Sequence, residues 1–366
     1  MDFIYKNWLK PLFLGSIFMG SGGGGKTDNL LITCQELFAS DISIPLLSIK
    51  DLELNSIYAT TGLVGSPEVL DDFHCTGHEG ISLLNKLSNT INTDVKGIFT
   101  LECAGINVLY PLLVSALSHI PIIDGDCIGR AFPELQMTTF HLNNYTLKPL
   151  IFSNTQKETF EFSNEDNFML ELNIRHMLSK VNNIGFFAGC PVIGKELQKI
   201  LIPNTISLTY EIGKSFIDYS TYEDILFNLI KTTKNSIYGA SIELFAGTID
   251  TIENIEHKHW QSIYIKGIKD YSHDKFQILT QNENLIAYKN GALAAMVPDL
   301  ISMIDLDTLK PVGNNSITQG MNVAVIGTPA PLVWKTDNAL NIVGPQCFGY
   351  KSPYKSLEEL YYNYYY

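Results

Sequence analysis

Charge is scarce in this sequence: only 17% of its 366 residues are Asp, Glu, Lys or Arg, against 45% hydrophobic. A chain this long and apolar buries a large core, and its length exceeds what one core organises, so two domains are expected. Basic residues are fewer still, 25 against 38 acidic, for a formal net charge of -13. No Lys/Arg cluster interrupts that acidity, which speaks against a nucleic acid or an anionic membrane surface as partner. No run reaches the ~18 apolar residues that a membrane-spanning helix requires. The apolar stretch from Pro11 to Met19 behind Lys6 and Lys10 is signal-like but short and broken by Gly15 and Ser16, so export is not expected. The six cysteines, 34, 75, 103, 127, 190 and 347, form no Cys-x-x-Cys pair, which argues against a zinc ribbon, a thioredoxin motif or a disulfide framework. Reduced, mostly buried thiols in a cytoplasmic protein are the expectation. No repeat of fixed period occurs.

Within this frame the pattern changes along the chain. Residues 1–160 read as an α/β domain, a parallel sheet with helices: helix-like at Leu30 to Phe38, Gly80 to Leu87 and Asn107 to Leu117, strand-like at Ile44 to Ile49, Gly97 to Leu101 and Ile120 to Ile123. In such sheets ligands sit beyond the carboxyl ends of the strands, where Glu102 and Asp124 fall. The polar stretch from Ser153 to Asn167 is read as containing the domain boundary. Residues 161–366 read as a β-rich C-terminal domain, with helical passages at Met169 to Leu178 and Tyr222 to Thr232. Its strands are expected at Ser241 to Phe245, Ser262 to Ile265, Lys275 to Thr280, Leu285 to Tyr288 and Asn322 to Ile326.

Three motifs compete for chemistry. Gly20-Ser21-Gly22-Gly23-Gly24-Gly25-Lys26-Thr27 satisfies the P-loop pattern, which makes a nucleotide-binding protein one reading; the segment before it looks helical, and a turn that admits close backbone approach is the other. His74 and His78, four apart, with Cys75 beside them, are candidate ligands for zinc, the one cofactor suggested here; a polar turn capping the next helix uses the same residues. Glu102-Cys103-Ala104-Gly105-Ile106-Asn107 leaves a strand and opens a helix, where free N–H groups favour negative charge. Cys103 is a nucleophile if that helix end lowers its pKa, and otherwise a buried thiol.

The densest constellation is the segment from Asp124 to Glu134. Asp124, Asp126, Arg130 and Glu134 lie within eleven residues, with two glycines and a proline. Three carboxylates and a guanidinium near a strand end suit an acid/base pair and a bidentate clamp for a carbonyl or carboxylate. A salt-bridged structural loop would also use them.

The glycine tract, the Glu102 to Asn107 box, Asp124 to Met137, Asn204 to Gly213, Gln281-Asn282-Glu283, Val297-Pro298-Asp299-Leu300 and Gly344 to Tyr350 follow one another in the order seen in the S-methyl-thiohydantoin desulfurase-like family, which the chain resembles over nearly its whole length. Gly129-Arg130-Ala131-Phe132-Pro133-Glu134 is the most specific part. The resemblance implies an α/β N-terminal and a β-containing C-terminal domain, and a hydrolase of thiohydantoin- or hydantoin-like rings that works with hydantoinase- or oxoprolinase-type partners. It also disfavours the P-loop, because Lys26 stands where relatives have an acidic residue; Cys103 replaces a glycine. The expected activity is hydrolysis of a C–S or C–N bond at a pocket between the domains. Asp124, Asp126, Glu134, Arg130 and Cys103 are its catalytic candidates, with acid and base unassigned among the carboxylates. Gly23, Gly24, Glu102, Asn107, Gln281, Asn282, Glu283 and Asp299 are its substrate-binding candidates. A small-molecule substrate and a homo-oligomer are expected. A non-catalytic small-molecule-binding or regulatory subunit is the alternative.

Overall fold

The computed structural model describes residues 2–25, 28–38, 42–65, 75–181, 183–255 and 260–365. Its contacts divide the chain into two compact units, residues 1–13 with 25–207 and residues 14–24 with 208–366.

The first unit is α/β. Its helices are α1 (Lys6–Met19, which continues into the second unit), α2 (Asp28–Leu37), α3 (His78–Ile91), α4 (Ile106–Ser118), α5 (Thr139–Leu142), α6 (Asn167–Leu178) and α7 (Gly194–Ile200). Helix α8 (Thr205–Asp218) begins here and also runs into the second unit. The strands are β1 (Asp2–Ile4), β2 (Ile44–Leu47), β3 (Ile57–Gly65), β4 (Val95–Phe99), β5 (Ile122–Ile123), β6 (Gly125–Asp126), β7 (Leu150–Asn154), β8 (Thr159–Phe162), β9 (Ile184–Ile193) and β10 (Ile202–Pro203). Eight of them form a mixed sheet in the order β1-β2-β5-β4-β3-β9-β7-β8, and β6 pairs with β10 apart from it. The inner run β2-β5-β4-β3 is parallel, so the expected parallel α/β core is present. Antiparallel strands flank it on both sides.

Local chemistry explains the elements. In α3 the buried residues Gly80, Leu83, Leu84 and Leu87 fall at the i, i+3, i+4, i+7 spacing of a helix with one buried face. Asn92 ends it in the left-handed region, its N–H returning to Ser88 and Asn89. Helix α4 is different: ten consecutive or near-consecutive residues from Ile106 to Ala116 are buried, so it is a central helix without a solvent face. The central strands β3 and β9, absent from the sequence reading, are buried on both faces, so neither shows the alternation that marks a half-exposed strand. The polar stretch beginning at Ser153 contains the hairpin β7–β8. Asn154 Oδ1 accepts from the Gln156 and Glu158 N–H groups, both at 3.0 Å, and turns the chain there.

The second unit is built on an eight-stranded antiparallel sheet: β11 (Ile242–Ile255), β12 (Trp260–Gly267), β13 (Lys275–Thr280), β14 (Asn284–Lys289), β15 (Ala292–Met296), β16 (Leu300–Asp305), β17 (Lys310–Val312) and β18 (Asn322–Thr328), in the order β15-β14-β13-β12-β11-β18-β16-β17. All five strands expected from sequence are present. Of the other three, β15 is alanine-rich, β17 is three residues with a proline, and β16 is an apolar run without alternating exposure, which obscures their β character. Ile263, Ile265, Ile278, Val323 and Val325 fill one face, with Phe245 stacked on Phe276 at 4.9 Å between centroids. Helix α9 (Tyr222–Lys234) is capped by the Thr221 side chain and carries Glu223 and Asp224 in its first turn and Lys231 and Lys234 in its last, matching the helix dipole.

Asp299 fastens the end of this unit. Wholly buried, it accepts from Ala330 N at 2.7 Å, from the Tyr354 hydroxyl at 2.9 Å and from Leu357 N at 2.8 Å, with Lys335 Nζ at 3.9 Å. Burial pushes its carboxyl up to about 6, against the pull of Lys335 and the two N–H groups. Asp299→Ala strands three donors and is expected to cost on the order of 3–5 kcal/mol in urea unfolding, with Asp299→Asn losing less. The native state keeps this proton up to about pH 6, whereas the unfolded chain releases it near 3.8. The stability due to Asp299 therefore declines as pH rises between those values, and the decline should vanish in Asp299→Asn.

Candidate functional site

The parallel strands β4 and β5 end at the same edge of the sheet, and the segments that leave them carry most of the chemistry. From β4 the chain passes through Thr100, Leu101, Glu102 and Cys103 to Gly105, whose φ of 50° suits glycine at the entry to α4. From β5 it passes directly to Asp124 and Asp126.

Asp126 is completely buried and surrounded by donors. Its Oδ2 accepts from Cys103 N at 2.7 Å and its Oδ1 from Gly129 N at 3.0 Å, with the Ile128 N–H turned to it as well. Burial nevertheless dominates and pushes its carboxyl up to about 7. Asp124 faces α8: Ser207 N donates to Oδ1 at 3.0 Å and Ser207 Oγ to Oδ2 at 2.5 Å, while the Asp124 carbonyl accepts from Asn204 N at 3.0 Å. Its carboxyl is raised by burial, with the Ser207 bonds opposing the rise. It therefore caps the first turn of a helix 83 residues away in sequence.

Glu102 and Asn107 form a second, partly open pair. Asn107 Nδ2 donates to Glu102 Oε1 at 2.9 Å and Asn107 Oδ1 accepts from Leu63 N at 2.9 Å, so β3 sets the amide and the amide sets the carboxylate. Cys103 lies next to them but inside: its Sγ is 3.4 Å from Thr100 Oγ1 and 3.3 Å from Thr205 Oγ1. The lowered thiol pKa on which a nucleophilic Cys103 depends is not found, because burial and then Asp126 push it well up.

The rest of the Asp124 to Glu134 segment turns inward or to α6. Arg130 is 1% exposed; its Nε donates to Ala131 O at 3.1 Å and its guanidinium carbon lies 5.0 Å from the Phe132 ring centroid. Glu134, half-buried, receives Gln136 Nε2 and is raised by burial and then by Glu171. The same Glu171 accepts from Leu135 N at 3.0 Å, and Arg175 joins Glu171 to Pro133 O.

Other expected residues group elsewhere. Gly23, Gly24, Gln281, Asn282, Glu283 and Asp299 belong to the second unit. There the glycine tract is a turn: Ser21 Oγ accepts from Ile301 N at 2.8 Å, Ser21 O accepts from Asn284 N at 2.7 Å, and Gly22 O accepts from Asn314 N at 2.8 Å. A Cβ on Gly23 would stand 2.6 Å from Glu283 Oε1, so the close approach expected of the tract is real, and Glu283 is what it meets. The P-loop reading is corrected accordingly. A P-loop leaves a strand, whereas this tract leaves helix α1, its carbonyls are engaged with β14 and Asn314 and its Ser21 hydroxyl with β16; Lys26 and Thr27 lie outside the described residues.

Of the zinc candidates, His74 lies outside the described residues, His78 is exposed at the start of α3, and the buried Cys75 thiol is pushed up to about 12 by burial and Glu79. Among the described residues no three His, Cys, Asp or Glu side chains group so as to hold a metal ion. All six thiols are free, five of them buried. No described helix is long and apolar enough to cross a membrane.

Three functional neighbours were missed from sequence: Ser207, Thr205 and Gln136. Asn204-Thr205 at the entry to α8 is a helix-start signal that marks the first two; nothing in sequence marks Gln136.

Comparison with known proteins adds the family. No curated protein matches. A crystal structure of a protein from Chromobacterium violaceum is similar with a TM-score of 0.81 at 19% identity, over 98% of this chain and 100% of that one, which shows a shared fold. The S-Me-THD-like N-terminal domain matches residues 7–164 and the S-Me-THD-like C-terminal domain residues 165–357. With these two domains end to end over almost its whole length, the chain belongs to the S-methyl-thiohydantoin desulfurase-like family.

Proposed function

We propose that the chain is a hydrolase of small thiohydantoin- or hydantoin-like rings, acting at the carboxyl edge of β4 and β5. The family name supplies the ring. The observation that carries the reading is Glu102, a half-buried residue whose carboxylate is held by Asn107 beside the entry to α4, with the Asp124–Ser207 pair at the end of the adjacent strand. Asp126 is unsuited to touch substrate, being wholly enclosed by backbone donors.

The reaction needs a base for water and a donor for the charge that develops. Glu102 takes a proton from water as the water oxygen bonds to the sp² ring carbon. The C–S or C–N bond then breaks, the electron pair leaves with sulfur or nitrogen, and the leaving group collects the proton from Glu102. The N–H groups that open α4 stabilise the oxyanion, and the Asp124–Ser207 pair holds the start of α8 in place beside them. Asp126 is a positioning residue: it holds the Cys103 N–H and the Gly129 turn in place.

Purified protein should release methanethiol from an S-methyl-thiohydantoin, or open a hydantoin ring. Glu102→Gln should lower kcat by roughly 100-fold to 10,000-fold, and Ser207→Ala, which removes only a positioning bond, should lower it less. Turnover that survives Glu102→Gln unchanged overturns the assignment.

For Asp126 the test is pH. Its native carboxyl holds a proton up to about pH 7, whereas the unfolded chain releases it near 3.8, so the stability this group contributes falls as pH rises through that window. Urea midpoints of Asp126→Asn should be flatter with pH between about 5 and 7 than those of the parent chain. A parallel pair of curves removes the titrating role.

A further inference from the structure

Helix α9 turns Ile225, Leu229 and Thr233 into the second unit, at the i, i+4, i+8 spacing of one buried face. The opposite face is exposed, and Phe227, 71% exposed, stands at its centre. Glu223 and Asp224, four and three residues before Phe227, and Lys231 and Lys234, four and seven residues after it, share that face and are exposed as well. The helix dipole accounts for acid at the start and lysine at the end. It gives no reason for a phenyl ring in water between them. At the turn from α8 into α9, Ile217 and Tyr219 are each 41% exposed, and Asn228 Nδ2 donates to Ser215 Oγ at 2.8 Å, which sets the two helices side by side. A single exposed apolar side chain is ordinary, whereas a group of them marks a contact surface.

The charges of this face cannot pair with one another. Ion pairs on other helices join residues three or four apart, as in Glu171–Arg175, Glu196–Lys199 and Glu211–Lys214. On α9 the nearest opposite charges, Asp224 and Lys231, are seven residues apart, about 10 Å along the axis. Among the described residues no ion pair takes up any of the four charges, and Asp224 accepts only from the Thr221 hydroxyl, at 2.6 Å, and not from a cation. Their order is symmetric about Phe227. A second α9 laid antiparallel on the first, with the Phe227 rings at the two-fold axis, brings Asp224 opposite Lys231 and Glu223 opposite Lys234, twice over. A parallel neighbour would set like charges together. The face is also neutral, two acids against two lysines, in a chain of net charge -13 whose copies otherwise repel.

We propose that this face of α9 joins two copies of the chain in an antiparallel, two-fold-symmetric contact, with Phe227 against Phe227 at the centre and the Asp224–Lys231 and Glu223–Lys234 pairs around it. Such a contact needs a surface complementary to itself, and the order acid, phenyl ring, lysine supplies one. A helix of 13 residues is about 20 Å long, so the helix pair alone is smaller than the interface of a permanent dimer, and the association is reversible. Its ion pairs lie at a solvated rim, so salt weakens it.

Analytical ultracentrifugation of the full chain over a dilution series, at low and at high salt, tests this. A concentration-dependent dimer that weakens with salt is expected. Phe227→Asp should weaken it about 100-fold, because the change enters on both sides of the axis. Two charge reversals separate the antiparallel pairing from any other contact. Glu223→Lys with Asp224→Lys makes the face wholly basic, and Lys231→Glu with Lys234→Glu makes it wholly acidic. Each should be monomeric alone, and an equimolar mixture of the two should form a heterodimer at least as tight as the parent dimer. A chain that is monomeric at every concentration overturns the proposal and leaves the face to a different protein. A dimer that survives Phe227→Asp, or folded reversals that mixing does not rescue, overturns it by placing the contact elsewhere. The reversed charges oppose the helix dipole; should circular dichroism show that they unfold the chain, the Phe227→Asp result decides alone.

Discussion

A carboxylate taken completely out of water loses its hydration, and what replaces that hydration decides the structure around it. For Asp126 the replacement is the main chain: Cys103 N on the loop after β4, and Ile128 N and Gly129 N on the loop after β5, converge on its two oxygens. These bonds, with Cys127 N donating to Leu101 O at 2.9 Å, join the connections that leave β4 and β5 beyond their short pairing. Glu102 takes its place from Cys103, its neighbour in sequence, and Arg130 from Gly129. Asp124, two residues before Asp126, in turn holds the first turn of α8. The edge at which chemistry is proposed is therefore organised by a residue that itself never meets solvent.

The same division of labour explains how much of the molecule was legible in the sequence. Helices with one buried stripe, such as α3, announce themselves, and so do the strands of the second sheet with alternating exposure. Strands β3 and β9 did not, because burial on both faces leaves an apolar run broken by Gly62, Gly185 and Gly189 that resembles no template. The carboxylates of the site were visible as a cluster at a strand end. Their separate duties were not, since these follow from partners distant in sequence: Ser207 for Asp124, the Cys103 N–H for Asp126, Leu63 through Asn107 for Glu102.

Charge density in a sequence is thus a poor guide to which charges react. Asp299 and Asp126 are each held by backbone N–H groups and each raised by burial, yet Asp299 binds the segments after β18 and before the C-terminal helices of the second unit, far in sequence from any proposed chemistry. The glycine tract makes the same point. Its freedom at Gly22 and Gly24, with φ of 90° and 91°, serves a turn seated on Glu283, Asn284 and Asn314, where a side chain at Gly22 or Gly23 would collide. Family motifs of this kind mark places where the backbone tolerates no alternative, whether or not a substrate is near.

What distinguishes a reacting polar group from a structural one here is the state of its hydrogen bonds. Asp126, Asp124 and Asp299 have spent theirs on backbone or hydroxyl donors, and each such bond adds to the fold only about 0.5–1.5 kcal/mol net, or somewhat more to a charged group. Glu102, by contrast, is half-buried and held by the side-chain amide of Asn107, which is why the base is assigned to it.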